Sequence, residues 1–106
     1  MTLQQLKYVI AIDAYRSFAK ASEACQVSQP TLSAMLQKLE EELDVRIFER
    51  SNKSVMPTAI GKKIIRQAER VIAESRRIEE IVSENKDVVS GRLTLSVGPT
   101  IAPRSE

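Results

Sequence analysis

The sequence predicts a mainly α fold: short helices, then a small β-hairpin, then one long final helix. Three observations lead there. Apolar residues recur at helical spacing from residue 2 to residue 43, interrupted by residues that cap helices. Residues 44–57 change to short alternating stretches around a polar turn. From residue 58 a heptad-like pattern then runs without a break to about residue 85.

Composition sets the outer bounds. A chain of 106 residues holds one small domain with an extension. With 42% hydrophobic but only 4% aromatic residues, its core should be aliphatic. No apolar run is long enough to cross a bilayer and no signal-peptide pattern opens the chain, so a cytoplasmic location without membrane contact is expected. The single cysteine, Cys25, fits a reducing compartment. Sixteen basic and 14 acidic side chains leave a net charge of +2, so charge placement must say more than charge total.

Enzyme chemistry finds little support. Histidine is absent, and one cysteine alone builds neither a Cys–His pair nor a usual zinc site. Gly61, Gly91 and Gly98 form no phosphate-cradling loop. Glu40, Glu41 and Glu42 point in different directions on a helix, which suits a solvated helix end better than an acid/base or metal site. No catalytic residue, cofactor or metal is expected.

Each element has its own grounds. Thr2 caps a first helix over residues 2–15, where Leu3, Leu6, Val9, Ile10 and Ala14 share helical spacing. Ser17 caps a second helix over 18–25, whose small Ala21 and Ala24 allow close approach of a neighbour. Cys25 fits that crossing as a small buried hydrophobe; a redox role lacks a neighbouring cation to favour a thiolate. A four-residue turn leads to a third helix, with Ser28 as cap and Pro30 in the first turn, where its missing N–H costs nothing. Leu32, Leu36, Leu39 and Leu43 form its apolar stripe. The opposite face holds Pro30, Ser33, Ala34, Gln37 and Glu41, with Gln29 and Thr31 at the leading turn and Lys38 on the flank. An ordinary solvated helix would carry long charged side chains along that whole face. Here the first two turns are short and uncharged, a surface able to approach base edges in a major groove without repelling phosphates.

The hairpin follows. Ile47 and Val55 are expected to face the core, and Arg50 and Lys53 to meet phosphates, although such a ribbon can also simply cover the core. A hairpin placed after a helix-turn-helix is a wing, which makes the fold class a winged helix-turn-helix with residues 1–57 as its DNA-binding domain. Thr58 caps the long helix, residues 58–85. Ile64, Ala68, Val71, Ser75, Ile78 and Val82 make its seam, widened by Ile65, Ile72 and Ile81. Such a seam pairs with a second copy or packs on another domain of the same chain. Lys62, Lys63, Arg66 and Arg70 crowd its first third and acids its last. Residues 86–106 read as a polar hinge, a strand over 92–97 that would begin a truncated further domain, and a disordered tail.

Several stretches together are specific: Leu6-Lys-Tyr-Val, Ser17-Phe-Ala-Lys-Ala-Ser, Val27-Ser-Gln-Pro-Thr-Leu-Ser33, Leu39-Glu-Glu-Glu-Leu43, Phe48-Glu-Arg50 and Pro57-Thr-Ala-Ile-Gly61. In this order and spacing, over residues 3–97, the chain resembles the N-terminal part of LysR-type transcriptional regulators. Cys25 with the run after it, and Gly98-Pro-Thr-Ile-Ala-Pro103, are most similar to the hydrogen-peroxide-sensing branch of that family. The resemblance implies sequence-specific binding of double-stranded DNA by a dimer joined through the long helix, with an effector domain beyond. It implies base contacts from Gln29, Pro30, Thr31, Ser33 and Ala34, and backbone contacts from Lys20, Ser28, Lys38, Arg50, Lys53 and Thr58. Dimerisation would use Ile64, Ala68, Val71, Ile72, Ile78 and Val82. Two positions depart from the family: Ala34 stands where many members carry Arg, and Asp44 where most carry Gly.

The expected function is therefore that of the DNA-binding part of a bacterial regulator of the peroxide or oxidative-stress response, reading an inverted repeat. RNA polymerase and higher oligomers would be partners of a longer protein. Gln29 suits an adenine, Ser33 a base or phosphate, and Pro30 with Ala34 the thymine methyls. Alternatives are a regulator of another metabolic pathway, or a protein-interaction module that uses the coiled-coil arm.

Overall fold

In the computed structural model, which describes residues 1–51 and 54–86, helix α1 (Leu3–Tyr15) opens with a reciprocal capping box. The Gln5 N–H donates to Thr2 Oγ1 at 3.1 Å, and the Thr2 N–H donates to Gln5 Oε1 at 2.9 Å. The helix buries Gln5, Leu6, Tyr8, Val9 and Ile12. Leu3 and Ala14, expected on the same face, are exposed, because the buried arc centres near Val9 and they fall on its far side.

Helix α2 (Phe18–Cys25) is capped by Ser17, whose hydroxyl accepts from the Lys20 N–H at 3.2 Å. Ala21 is fully buried as expected, but Ala24 is exposed and Ser22 takes the inner position instead. Burial of that hydroxyl is tolerated because it donates to the Ala19 carbonyl at 2.8 Å. The turn after α2 has three residues, 26–28, not four. Gln26 makes it tight by adopting a left-handed conformation, φ 59°, while the Val27 N–H reaches back to the Ser22 carbonyl at 3.0 Å.

Helix α3 (Gln29–Leu43) buries Leu32, Leu36 and Leu39 and half-buries Leu43. It ends at Asp44, again left-handed with φ 57°. A side chain in that region costs about 1–2 kcal/mol relative to the right-handed one. Asp44→Gly should therefore stabilise the chain, by about 0.5–1 kcal/mol once the extra freedom of glycine in the unfolded state is subtracted. A denaturant midpoint that falls instead would show that the aspartate side chain makes up the cost.

Strands β1 (Phe48–Arg50) and β2 (Val55–Pro57) pair antiparallel, with Phe48 opposite Pro57 and Arg50 opposite Val55. The Ser51 N–H donates to the Ser54 carbonyl at 3.0 Å and closes the turn. The ribbon starts at Phe48, later than the expected stretch from Asp44.

Ile47 and Val55 face the core as expected. The core is not purely aliphatic, however: Phe48, one of the few aromatics, is the largest fully buried side chain. Around it lie Val9 and Ile12 of α1, Ala21 of α2 and the α3 leucines. Helix α4 (Ala59–Lys86) begins behind this core. Its Thr58 cap accepts from the Gly61 N–H at 2.9 Å, and Ile65 joins the core. Ala68 and Ile72 form a second cluster with Leu6 of α1. The first half of the expected pairing seam thus also has apolar neighbours within the chain. Ile64, Ala68, Val71 and Ile72 already pack within the chain, since α1 offers them an apolar partner.

Residues 1–72 form one unit, and in the second the described residues 73–86 are helical throughout. There Ile78, Ile81 and Val82 are exposed, and Arg77 pairs with Glu80 and Glu84, each at 3.3 Å. The hinge, strand and tail expected beyond Lys86, and Lys53 of the wing, lie outside the described residues. Among the described residues no helix is long and apolar enough to cross a membrane.

Candidate nucleic-acid interface

The leading turns of α3 present an uncharged surface. Gln29, Pro30, Thr31 and Ala34 are exposed, and Ser33 is half-buried. Buried leucines fix the opposite face, so these side chains are held by a rigid helix rather than a loop. Ser28 shapes the leading edge: its hydroxyl accepts from the Thr31 N–H at 3.2 Å and donates to Thr31 Oγ1 at 2.8 Å. Thr31 Oγ1 thus accepts from Ser28 and keeps its own proton to offer outward.

Two residues expected to contact the DNA backbone also have partners within the chain. The Ser28 hydroxyl proton is committed within the cap. Thr58 is committed more fully: its hydroxyl donates to the Arg46 carbonyl at 2.6 Å and its N–H to the Ile47 carbonyl at 2.9 Å. Both hydroxyls fasten a helix start, accepting from the Thr31 and Gly61 N–H groups respectively. Lys20 on α2 and Lys38 on α3 are exposed.

Arg50 occupies a more defined place than sequence suggests. Its guanidinium carbon lies 4.9 Å from the centroid of the Phe18 ring. One guanidinium nitrogen is 3.8 Å from Glu40 Oε1, an electrostatic contact too long for a hydrogen bond. The Arg50 side chain remains 35% exposed, enough to offer donors to a phosphate.

Glu40 is the residue that sequence reading misplaced. It is not part of a solvated acidic end, for its side chain is only 10% exposed, whereas Glu41 and Glu42 are exposed. Glu40 Oε2 accepts from the Ile47 N–H at 2.7 Å and the Phe48 N–H at 3.2 Å. Its position four residues after Leu36, on the core side of α3, was the available signal. Cys25 is half-buried against the core, and burial pushes its thiol pKa up, which keeps it protonated and poorly nucleophilic.

A helix-turn-helix whose second helix shows an uncharged outward face, followed by a hairpin carrying an arginine over the Phe18 ring, defines a winged helix-turn-helix protein. The chain belongs to the lysR family of bacterial regulatory helix-turn-helix proteins, matched over residues 3–62. It is 37% identical over 103 residues to the hydrogen peroxide-inducible genes activator of Pectobacterium carotovorum subsp. carotovorum. The same identity and length hold for the DNA-binding transcriptional dual regulator OxyR of Escherichia coli (strain K12). Each match covers 97% of this chain and 34% of the relative, so the chain spans about a third of the length of these curated relatives.

Solved structures agree. A full-length OxyR variant from Pseudomonas aeruginosa has a TM-score of 0.77 and 43% identity, covering 81% of this chain and 29% of that one. The CbnR DBD–DNA complex has a TM-score of 0.76 and 31% identity, covering 81% of this chain and 99% of that one.

Proposed function

We propose that the chain is the DNA-reading part of a LysR-type regulator and binds duplex DNA as a dimer, in a protein that answers peroxide or oxidative stress. One observation supports this most: the first turns of α3 are exposed, uncharged and rigidly held by a buried leucine face. Gln29 reads a base edge, Thr31 and Ser33 offer hydroxyls, and Pro30 with Ala34 contacts thymine methyls. Lys20, Lys38, Arg50 and Lys53 supply the salt-sensitive contacts to phosphates. The exposed Ile78, Ile81 and Val82 provide apolar surface for a second copy. In this reading residues 1–57 bind DNA, 58–85 link the two copies, and 86–106 lead into an effector domain. The peroxide response rests on the named functions of the relatives that are 37% identical.

Selecting bound duplexes from a random pool tests the central claim. A recovered inverted repeat is the expected result; no enrichment at low salt, alongside a stable dimer, would favour a protein-interaction module instead. Gln29→Ala should relax the recovered motif at one position per half-site, with a loss of about 1–3 kcal/mol there. An unchanged motif would remove Gln29 from the reading set.

A further inference from the structure

We infer that Glu40 and Phe18 form a cradle that positions Arg50, so that the wing arginine is already ordered by α2 and α3 when it meets a DNA phosphate. The inference rests on the DNA-binding function proposed above. Its parts come from three different elements. Phe18 opens α2 and lies under the guanidinium at 4.9 Å. Glu40, from the core side of α3, places one carboxylate oxygen 3.8 Å from the same group. Its other oxygen accepts the N–H groups of Ile47 and Phe48 and so fixes the start of β1, the strand that carries Arg50.

The arrangement is not a closed ion pair. At 3.8 Å the carboxylate orients the guanidinium without using a hydrogen bond, and the arginine keeps over a third of its surface open. A long side chain loses rotamer freedom when it binds a phosphate. Here much of that ordering is already done in the free protein. Glu40 is thus a positioning residue that acts through Arg50.

A double-mutant cycle on the 106-residue chain, with a mixed-sequence DNA duplex as probe, tests this. Glu40→Gln keeps a carbonyl oxygen for the two N–H groups but loses the charge that orients Arg50. It should weaken binding about fivefold in the parent and have no effect in an Arg50→Ala background. An equal loss in both backgrounds would mean that Glu40 acts only through the backbone of β1. Tighter binding by Glu40→Gln would mean that the carboxylate holds Arg50 away from DNA. Either result overturns the inference.

Arg50→Lys gives a second reading that leaves the Glu40 hydrogen bonds untouched. It should bind several-fold more weakly at an unchanged salt slope, because lysine keeps the charge but has no planar face to lie on Phe18. Parental affinity with lysine would overturn the cradle even if Glu40→Gln failed to fold. Failure of the parent to bind any duplex at low salt would instead remove the function on which the inference rests, and the inference with it.

Discussion

Replacing Gly61 by alanine should destabilise the chain by about 3 kcal/mol, the reverse of the usual effect of Gly→Ala inside a helix. A Cβ built at this position would run into the Ile47 carbonyl oxygen, 2.9 Å from its carbon and 3.0 Å from Thr58 Oγ1. None of these neighbours is a flexible side-chain end. The Ile47 carbonyl accepts the Thr58 N–H at 2.9 Å, and the Thr58 hydroxyl is the cap of α4. Relief of the clash therefore means moving the start of α4 away from the wing and breaking the bonds that join them. For a domain of this size each kcal/mol moves the melting temperature by about 4–8 °C. A drop of roughly 12 °C or more is expected in a thermal scan. A rise of even a few degrees would contradict this close approach between α4 and residue 47.

Glu40→Ala should cost about 2–4 kcal/mol, read from chemical denaturation. Its carboxylate accepts from two backbone N–H groups at 2.7 and 3.2 Å, and alanine leaves both without that partner. Each unsatisfied buried donor costs about 1–3 kcal/mol, and water entering the vacated space recovers part of it. Glu40→Gln should fall much closer to the parent, since a single oxygen accepts both bonds in the parent. Equal losses for Ala and Gln would indicate that charge, rather than the two hydrogen bonds, is what matters there.

These two residues mark where sequence reasoning was weakest. By sequence Gly61 is only one of three glycines that form no phosphate-cradling loop, and Glu40 one of three acids suited to a solvated helix end. The importance of each depends on a backbone group brought near by folding: the Ile47 carbonyl for one, the Ile47 and Phe48 N–H groups for the other. No local pattern announces such contacts. The same holds for the long helix. Its apolar spacing was plain, yet spacing alone does not tell an apolar face that pairs with a second copy from one that packs on α1. Leu6 lies far from Ala68 and Ile72 in sequence, and only their meeting shows that this part of the face is already used.

The uncharged leading turns of α3 were legible because the signal is local. A cap, a first-turn proline and four spaced leucines together define which side of one helix faces outward. The place of Arg50 was not legible, since its two neighbours come from α2 and α3.

By itself the sequence determined the elements of this protein: helices opening at Thr2, Ser17, Ser28 and Thr58, a wing beyond Asp44, and the uncharged outward face at the start of the third helix. Each of these depends on interactions within a turn or two of chain, which residue type and spacing encode directly. Only the tertiary structure decided how the elements are fastened: Glu40 to the wing, Gly61 against residue 47, Ala68 and Ile72 onto α1, and Arg50 over Phe18. Those contacts join residues distant in sequence, and their geometry exists only once the core around Phe48 has closed.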